Sequence, residues 1–177
     1  MLSLDEIISM SEIGYNIRYN NIAPILIDHV RRIGGSRGLI YVGANTGQEM
    51  GLCKQLADKI YAFEAIGEDS VWKELVKYED ATTTCYNYAL SDVEGEGVIY
   101  PSSNNFESSS LLEPGTHLNE FSFVKFRNPI KIKTRRLDSF DFVKECDTLI
   151  MDVQGAELKV LNGLDDYDNF KLIILEY

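Results

Sequence analysis

The chain has 177 residues, 45% of them hydrophobic and 25% charged, and its 28 acidic and 17 basic side chains give a formal net charge of −11 at pH 7. This length suits one hydrophobic core, and the acidic balance argues against nucleic acid and anionic membranes as partners because like charges repel. The sequence has no apolar run near the roughly 20 residues of a membrane span and no signal-peptide pattern at its start, so we expect a cytoplasmic protein.

The first 36 residues have helical periodicity, and from residue 37 onward strands and helices alternate. The predicted strands cover 38–42, 60–63, 82–90, 148–151 and 172–177, and helices are predicted near 53–57, 72–76 and 155–164. The alternation breaks between 93 and 136, where strands near 98–100 and at 130–137 predict an inserted hairpin. We therefore predict an N-terminal helical segment, 1–36, followed by one α/β domain, 37–177, built on a doubly wound and mostly parallel sheet.

The three cysteines, Cys53, Cys85 and Cys146, lie far apart and within apolar patterns. This spacing fits reduced thiols in a core better than a disulfide framework or a zinc site. We therefore expect no disulfide and no structural metal.

A glycine-rich turn, VGANTGQE at 42–49, follows the first predicted strand. Glycines at 43 and 47 let the backbone turn tightly and approach a ligand. A dinucleotide fingerprint would need a third glycine where the chain has Met50, so a nicotinamide cofactor is disfavoured. Thr46 and Glu49 have the spacing of a capping box, so helix capping is the simplest explanation of these two side chains.

Four predicted strands end at or just before a carboxylate. These residues are Glu64, Asp92, Asp152 and Glu176. Open α/β sheets bind ligands at the carboxyl ends of their strands, where Glu64 could accept from ribose hydroxyls and Asp92 from an adenine amino group. Each could instead be an ordinary turn carboxylate. Together the four could hold a sulfonium cation, hydroxyl groups or a divalent ion.

The segment DVQGAE at 152–157 places a carboxylate directly after a buried strand, which is costly unless the charge is paired or used. Asp152, Gln154 and Glu157 either contact a substrate, or Asp152 or Gln154 caps the following helix and Glu157 lies favourably in its first turn. His117, in the polar insertion, could reach a substrate hydroxyl or could be a solvated loop histidine.

In this order, several segments resemble the FkbM-type family of S-adenosylmethionine-dependent methyltransferases. They are VGANTG at 42–47, FEA at 63–65, ALSD at 89–92, SSSL at 108–111, RRLDSF at 135–140 and DVQGAELKVLNG at 152–163. The resemblance spans about residues 38–177 and implies a Rossmann-like class I methyltransferase fold. It implies that Gly43, Ala44, Asn45 and Gly47 surround the methionine part of the cofactor, that Glu64 binds the ribose, and that Ser91 and Asp92 lie near the adenine.

The resemblance also implies that DVQGAE lies beside the transferred methyl group and that the acceptor is a hydroxyl of a small molecule or glycan. Methyl transfer needs an acceptor oxygen in line with the methyl–sulfur bond, and a base that takes its proton speeds the reaction. We predict that Asp152, or alternatively His117, is this base and that Gln154 and Glu157 orient the acceptor.

The sequence departs from the family pattern at Tyr41, where members often have an acid, at Ile150, where they often have a lysine, and at Gln154, which replaces a frequent glutamate. Tyr41 and the short C-terminus keep an alternative open, namely a non-catalytic cofactor-binding or scaffold module with the same fold. Class I members usually continue past the fifth strand into an antiparallel pair. This chain stops at Tyr177, directly after the fifth strand, so that strand would be an exposed apolar edge of the sheet. We expect a second copy to cover this edge in a homodimer, or the chain to be a shortened version of a longer one.

Overall fold

The computed structural model describes residues 23–114 and 124–175 of the chain. Three features that the sequence singles out lie outside these residues, namely most of the N-terminal helical segment, His117 and Glu176. The roles expected of these three features stay predictions.

Strands and helices alternate through the described residues, as the apolar patterns predict. The strands are β1 (Leu39–Val42), β2 (Ile60–Phe63), β3 (Thr83–Tyr86), β4 (Ala89–Leu90), β5 (Gly95–Ile99), β6 (Ile130–Arg135), β7 (Thr148–Met151) and β8 (Leu172–Leu175). The α-helices are α1 (Ala23–Arg32), α2 (Met50–Leu56), α3 (Asp69–Leu75) and α4 (Glu157–Asn162). Three 3₁₀ segments are Val76–Tyr78, Leu137–Ser139 and Asp141–Glu145.

The main sheet has five strands in the order β3-β2-β1-β7-β8, and every pairing in it is parallel. The chain moves from β1 outward through β2 and β3, and later returns to the other side of β1 with β7 and β8. The strand order therefore reverses between β1 and β7. This arrangement confirms the predicted α/β, doubly wound, parallel sheet.

Both faces of the sheet are covered, which explains the continuous apolar run of β1. Leu39 and Tyr41 pack into one core with Val30 of α1 and with Met50 and Cys53 of α2. The alternate residues of β1 pack into a second core with side chains of α4, including Val160 and Leu161. A strand buried on both faces has no reason to alternate with polar residues.

The insertion contributes β5 and β6 to a second, three-stranded sheet in the order β4-β6-β5. β5 and β6 pair antiparallel, which confirms the predicted hairpin, and β4 joins β6 in parallel. The single strand predicted over 82–90 is wrong. β3 ends at Tyr86, the Asn87 amide donates to the carbonyl of Glu64 at 2.8 Å, and the chain then crosses to the second sheet.

The three cysteines are free and buried, as predicted. Burial is the main reason that the pKa of the thiol is about 12 at Cys53 and Cys146 and about 11 at Cys85. At neutral pH these groups are therefore protonated, apolar parts of the packing.

The described helices are short; α1, for example, has 10 residues. A membrane crossing requires about 20 predominantly apolar residues. Within 23–114 and 124–175, none of the helices has the length and apolarity for such a crossing.

Candidate functional site

The ends of β1 and β7 approach each other closely at the point where the strand order reverses. Gly43, directly after β1, has a φ of +82°, and a Cβ at this position would lie 1.9 Å from the carbonyl oxygen of Asp152. The N–H groups of Gly43 and Ala44 both donate to the carbonyl of Phe63 at the end of β2, at 2.9 and 3.0 Å. Glycine is required here because any side chain would meet backbone.

A cleft opens to solvent at this junction. The glycine turn, the ends of β1, β2 and β7, β4 and the loop after β5 form its walls. Of the sequence-predicted site residues, the lining includes Gly43, Ala44, Asn45, Glu64 and Asp152.

The cleft is acidic. Four acidic residues line it, Glu49, Glu64, Glu107 and Asp152. Among the residues that the structure describes, no lysine, arginine or histidine lines it. The arrangement favours a cationic ligand and disfavours a diphosphate.

Glu64 connects the glycine turn to the turn after β2. The residue is 7% exposed, and its Oε2 accepts from the N–H of Asn45 at 2.8 Å while its Oε1 accepts from the N–H of Ile66 at 2.6 Å. Burial raises the pKa of Glu64, although the hydrogen bonds from the backbone act in the opposite direction. A carboxylate has about four acceptor positions, so each oxygen can still accept a hydrogen bond from a ligand.

Asn45 has a left-handed backbone, with a φ of 45°. Its Nδ2 donates to the carbonyl of Asn105 at 3.1 Å, and its Oδ1 is buried without a hydrogen-bond partner in the described part of the chain. Leaving a buried acceptor unsatisfied costs about 1 to 3 kcal/mol. A donor on a ligand in the cleft would remove this cost.

The capping-box interpretation of Thr46 and Glu49 is wrong. Glu49 stands at the N-cap of α2, but no side-chain hydrogen bond from the described residues caps this helix. The Glu49 Oε2 instead accepts from the hydroxyl of Tyr41 at 3.0 Å. Gly47 does not line the cleft, and a Cβ on it would lie 2.8 Å from the ring of Tyr78, so its role is close packing behind the turn.

The DVQGAE segment forms a tight loop between β7 and α4. The N–H of Asp152 donates to the carbonyl of Val42 at 3.0 Å, and Nε2 of Gln154 donates to Oδ1 of Asp152 at 2.6 Å. The N-cap of α4 is Ala156, so neither Asp152 nor Gln154 holds the N-cap position, whereas Glu157 lies in the first turn as the alternative predicts. Asp152 of this loop lines the cleft.

Glu157 supports this loop from behind. It is 4% exposed and does not line the cleft. Its Oε1 accepts from the N–H groups of Val153 at 3.1 Å and Gly155 at 3.3 Å. Burial raises its pKa, because the carboxylate loses water that these hydrogen bonds replace only partly.

Ser91 and Asp92 lie next to the cleft wall and not in it. They come directly after β4, whose residues Ala89 and Leu90 line the cleft. Ser91 is buried, and its hydroxyl donates to Oδ1 of Asp92 at 2.9 Å. The carbonyl of Asp92 accepts from Arg136 at 3.2 Å.

The loop after β5 contributes residues that sequence reasoning missed. Asn105 and Phe106 are consecutive left-handed residues, with φ of 52° and 65°, and Phe106 and Glu107 line the cleft. Glu107 accepts from Gln48 of the glycine turn at 3.3 Å. Left-handed residues other than glycine cost about 1 to 3 kcal/mol each and cluster at functional sites. The sequence does not predict the left-handed backbone of Phe106, because bulky residues rarely adopt this conformation.

The predicted row of carboxylates is only partly brought together. Glu64 and Asp152 line the same cleft, Asp92 does not, and Glu176 lies outside the described residues. Across 23–114 and 124–175, no group of three or more His, Cys, Asp or Glu side chains is placed to hold a metal ion.

A protein-family model and a known protein match this chain. A family model described as the methyltransferase FkbM domain matches residues 42–177, which is more than half of the chain. The 2-O-methyltransferase NoeI of Sinorhizobium fredii is 33% identical over 102 residues, which cover 52% of this chain and 42% of that protein. The match thus spans less than half the length of this relative. No solved structure matches the chain.

Proposed function

The chain belongs to the FkbM methyltransferase family, and from this premise we propose that it is an S-adenosylmethionine-dependent O-methyltransferase acting on a hydroxyl of a small molecule or glycan. The observation that carries the proposal is the acidic cleft at the reversal of strand order, between Gly43 and Asp152. We propose that residues 37–177 form the methyltransferase domain and that 93–136 are an insertion in it.

The residues of the cleft fit this cofactor. S-adenosylmethionine carries a sulfonium and an ammonium group, and the cleft offers carboxylates from Glu49, Glu64 and Asp152. The hydroxyl and amino groups of S-adenosylmethionine can donate a hydrogen bond to the buried, unsatisfied Oδ1 of Asn45. When bound, the cofactor supplies an activated methyl group. A nicotinamide dinucleotide would bring a diphosphate against these carboxylates.

The proposed binding roles divide between the glycine turn, the end of β2 and the end of β4. Gly43, Ala44 and Asn45 contact the methionine part, with Gly47 packing behind them, and Glu64 accepts from the ribose. Glu64 suits this role because its carboxylate is already oriented by two backbone N–H groups and still has acceptor positions. Ser91 and Asp92 support the adenine end from behind the wall formed by Ala89 and Leu90, as positioning residues.

Asp152 is the proposed general base. Asp152 lines the cleft, and Gln154 donates to one of its carboxylate oxygens, so the side chain has a defined orientation. A base in this position accepts the proton of the acceptor hydroxyl as the oxygen–carbon bond forms. Glu157 holds the backbone of the same loop. His117 remains the alternative base.

The acceptor class is inferred from the family and from the relative. NoeI is described as a 2-O-methyltransferase, so its acceptor atom is an oxygen. A hydroxyl oxygen is a weak nucleophile, which agrees with a carboxylate base at the cleft. We propose a hydroxyl of a small molecule or glycan on this basis.

Isothermal titration calorimetry tests the proposal. We expect S-adenosylmethionine and S-adenosylhomocysteine to bind and NAD to give no heat of binding. No binding of either adenosyl ligand at about 1 mM, where an interaction near −4 kcal/mol registers, would contradict the proposal and favour a scaffold that keeps only the fold.

A further inference from the structure

Tyr41 and Glu49 form a hydrogen-bonded pair in the wall of the cleft. Tyr41 lies on β1, the central strand of the main sheet, and is only 4% exposed. Its hydroxyl donates to Oε2 of Glu49 at 3.0 Å, and both residues line the cleft. The pair therefore joins a rigid strand to the first residue before α2.

The tyrosine acts as a fixed donor. Burial raises the pKa of Tyr41, and the negative charges of Glu49 and Asp152 raise it further, so the phenol stays protonated. A protonated hydroxyl on a buried strand offers Glu49 one donor in one direction. It therefore orients the Glu49 carboxylate while leaving the charge of that carboxylate intact.

Glu49 differs from Glu64, which uses both of its oxygens, and from Glu107, which is exposed whereas Glu49 is half-buried. Both oxygens of Glu64 accept backbone N–H groups, and Asp152 accepts from Gln154. Oε1 of Glu49 accepts no hydrogen bond from a residue in 23–114 or 124–175. Glu49 also forms no ion pair with a lysine or arginine of these ranges. It is thus an oriented negative charge with an acceptor oxygen left for a cation.

We propose that the Tyr41–Glu49 pair binds the ammonium group at the amino-acid end of the cofactor. Glu49 accepts a charge-assisted hydrogen bond from that ammonium, and Tyr41 is a positioning residue that sets the direction of the carboxylate. The inference rests on the proposed function, because it assigns a residue pair to one part of the proposed cofactor.

Two ligands separate this contact from the rest of the cofactor site. S-adenosylhomocysteine carries the amino-acid end, whereas 5′-methylthioadenosine has the same nucleoside and lacks that end. The affinity of each is measured by calorimetry for the full chain, for Glu49→Gln and for Glu74→Gln. Glu74 is an exposed partner of Lys77 outside the cleft, so its variant loses the same charge elsewhere.

We expect Glu49→Gln to weaken S-adenosylhomocysteine about 10- to 100-fold and to leave 5′-methylthioadenosine unchanged, because a charge-assisted hydrogen bond is lost. Glu74→Gln should change neither affinity. Equal weakening of both ligands, or no change in either, overturns the inference. If the unmodified chain binds neither ligand, the proposed function itself fails, which is a different result.

Tyr41→Phe provides a second variant that keeps the Glu49 charge. It should weaken the binding of S-adenosylhomocysteine several-fold and leave the affinity for 5′-methylthioadenosine unchanged, so the ratio of the two affinities falls. If circular dichroism shows that Glu49→Gln does not fold, the result for Tyr41→Phe decides alone. An unchanged ratio of the two affinities in Tyr41→Phe overturns the inference.

Discussion

The carbonyl oxygen of Asp152 lies so close to Gly43 that a Cβ on the glycine would come within 1.9 Å of it. This approach joins the end of β1 to the end of β7 at the reversal of strand order. The N–H of Gly43 donates at the same time to the carbonyl of Phe63 at the end of β2. Gly43 is therefore fixed between the ends of β2 and β7. The geometry of the site therefore depends on the absence of one side chain.

Replacing Gly43 with alanine should destabilise the protein by about 2 kcal/mol or more, because the methyl group meets backbone and the φ of +82° is strained for alanine. Gly51 is the matched control: it lies in α2, and apart from its chain neighbours and the backbone of its own helix no atom lies within 4 Å of an added Cβ. Gly51→Ala should stabilise the protein by about 0.5 to 1 kcal/mol. Urea denaturation measures both, and equal effects of the two substitutions would contradict the packing argument.

The two buried glutamates should respond differently to replacement by glutamine. Glu157 accepts both of its backbone N–H groups on a single oxygen, which glutamine keeps. Glu64 uses one oxygen for Asn45 and the other for Ile66, so Glu64→Gln turns an amide NH₂ toward an N–H group. We expect Glu64→Gln to be less stable than Glu157→Gln by about 1 to 3 kcal/mol. Equal stability of the two variants in urea would contradict this difference, namely two acceptor oxygens in use in Glu64 and one in Glu157.

The second of these glutamates, Glu157, also predicts a dependence on pH. Burial raises the pKa of Glu157 in the folded protein above its ordinary value of 4.5, so between these two values the folded chain binds more protons than the unfolded chain. The contribution of Glu157 to stability is fully present below pH 4.5 and is lost as pH rises through the folded-state pKa. Glu157→Gln lacks this loss, so its stability relative to the unmodified chain should increase from pH 4.5 toward neutral pH. Denaturation at a series of pH values tests the sign, and a relative stability that falls with pH would refute it.

Asp152→Asn tests the proposed base. The substitution keeps an oxygen that can accept from Gln154 and removes the proton acceptor, so methyl transfer should slow by about 10² to 10⁴. The loss of one of the negative charges of the cleft should weaken cofactor binding by a much smaller factor. Asp58→Asn is the control, because Asp58 is exposed before β2, at the opposite end of the sheet from the cleft. Release of S-adenosylhomocysteine in the presence of sugar acceptors measures turnover. Unchanged turnover in Asp152→Asn would remove this residue from the mechanism.

Much of the fold could be predicted from the sequence, because its signals are local. Apolar runs such as 39–42 identify buried strands, and the glycines of the turn after β1 mark a close approach of backbone. Glu64 and Asp152 were found because the carboxyl ends of parallel strands share one edge. These inferences need only periodicity and chain order.

The rest depends on partners that are distant in the sequence. Thr46 and Glu49 have capping-box spacing, but the hydroxyl of Tyr41 competes for the Glu49 carboxylate once β1 and α2 pack together. The alternating pattern of 82–90 continues past Asn87, but the hydrogen bond of this residue to Glu64 redirects the chain. Neither competition is visible before the fold brings the groups together.

We propose that the cleft between Gly43 and Asp152 is the cofactor site. A crystal structure with bound S-adenosylhomocysteine tests it most directly. We expect the ligand in this cleft, with its ribose hydroxyls on Glu64 and its amino group on Glu49. Binding at another place, or an empty cleft at saturating ligand, would contradict it.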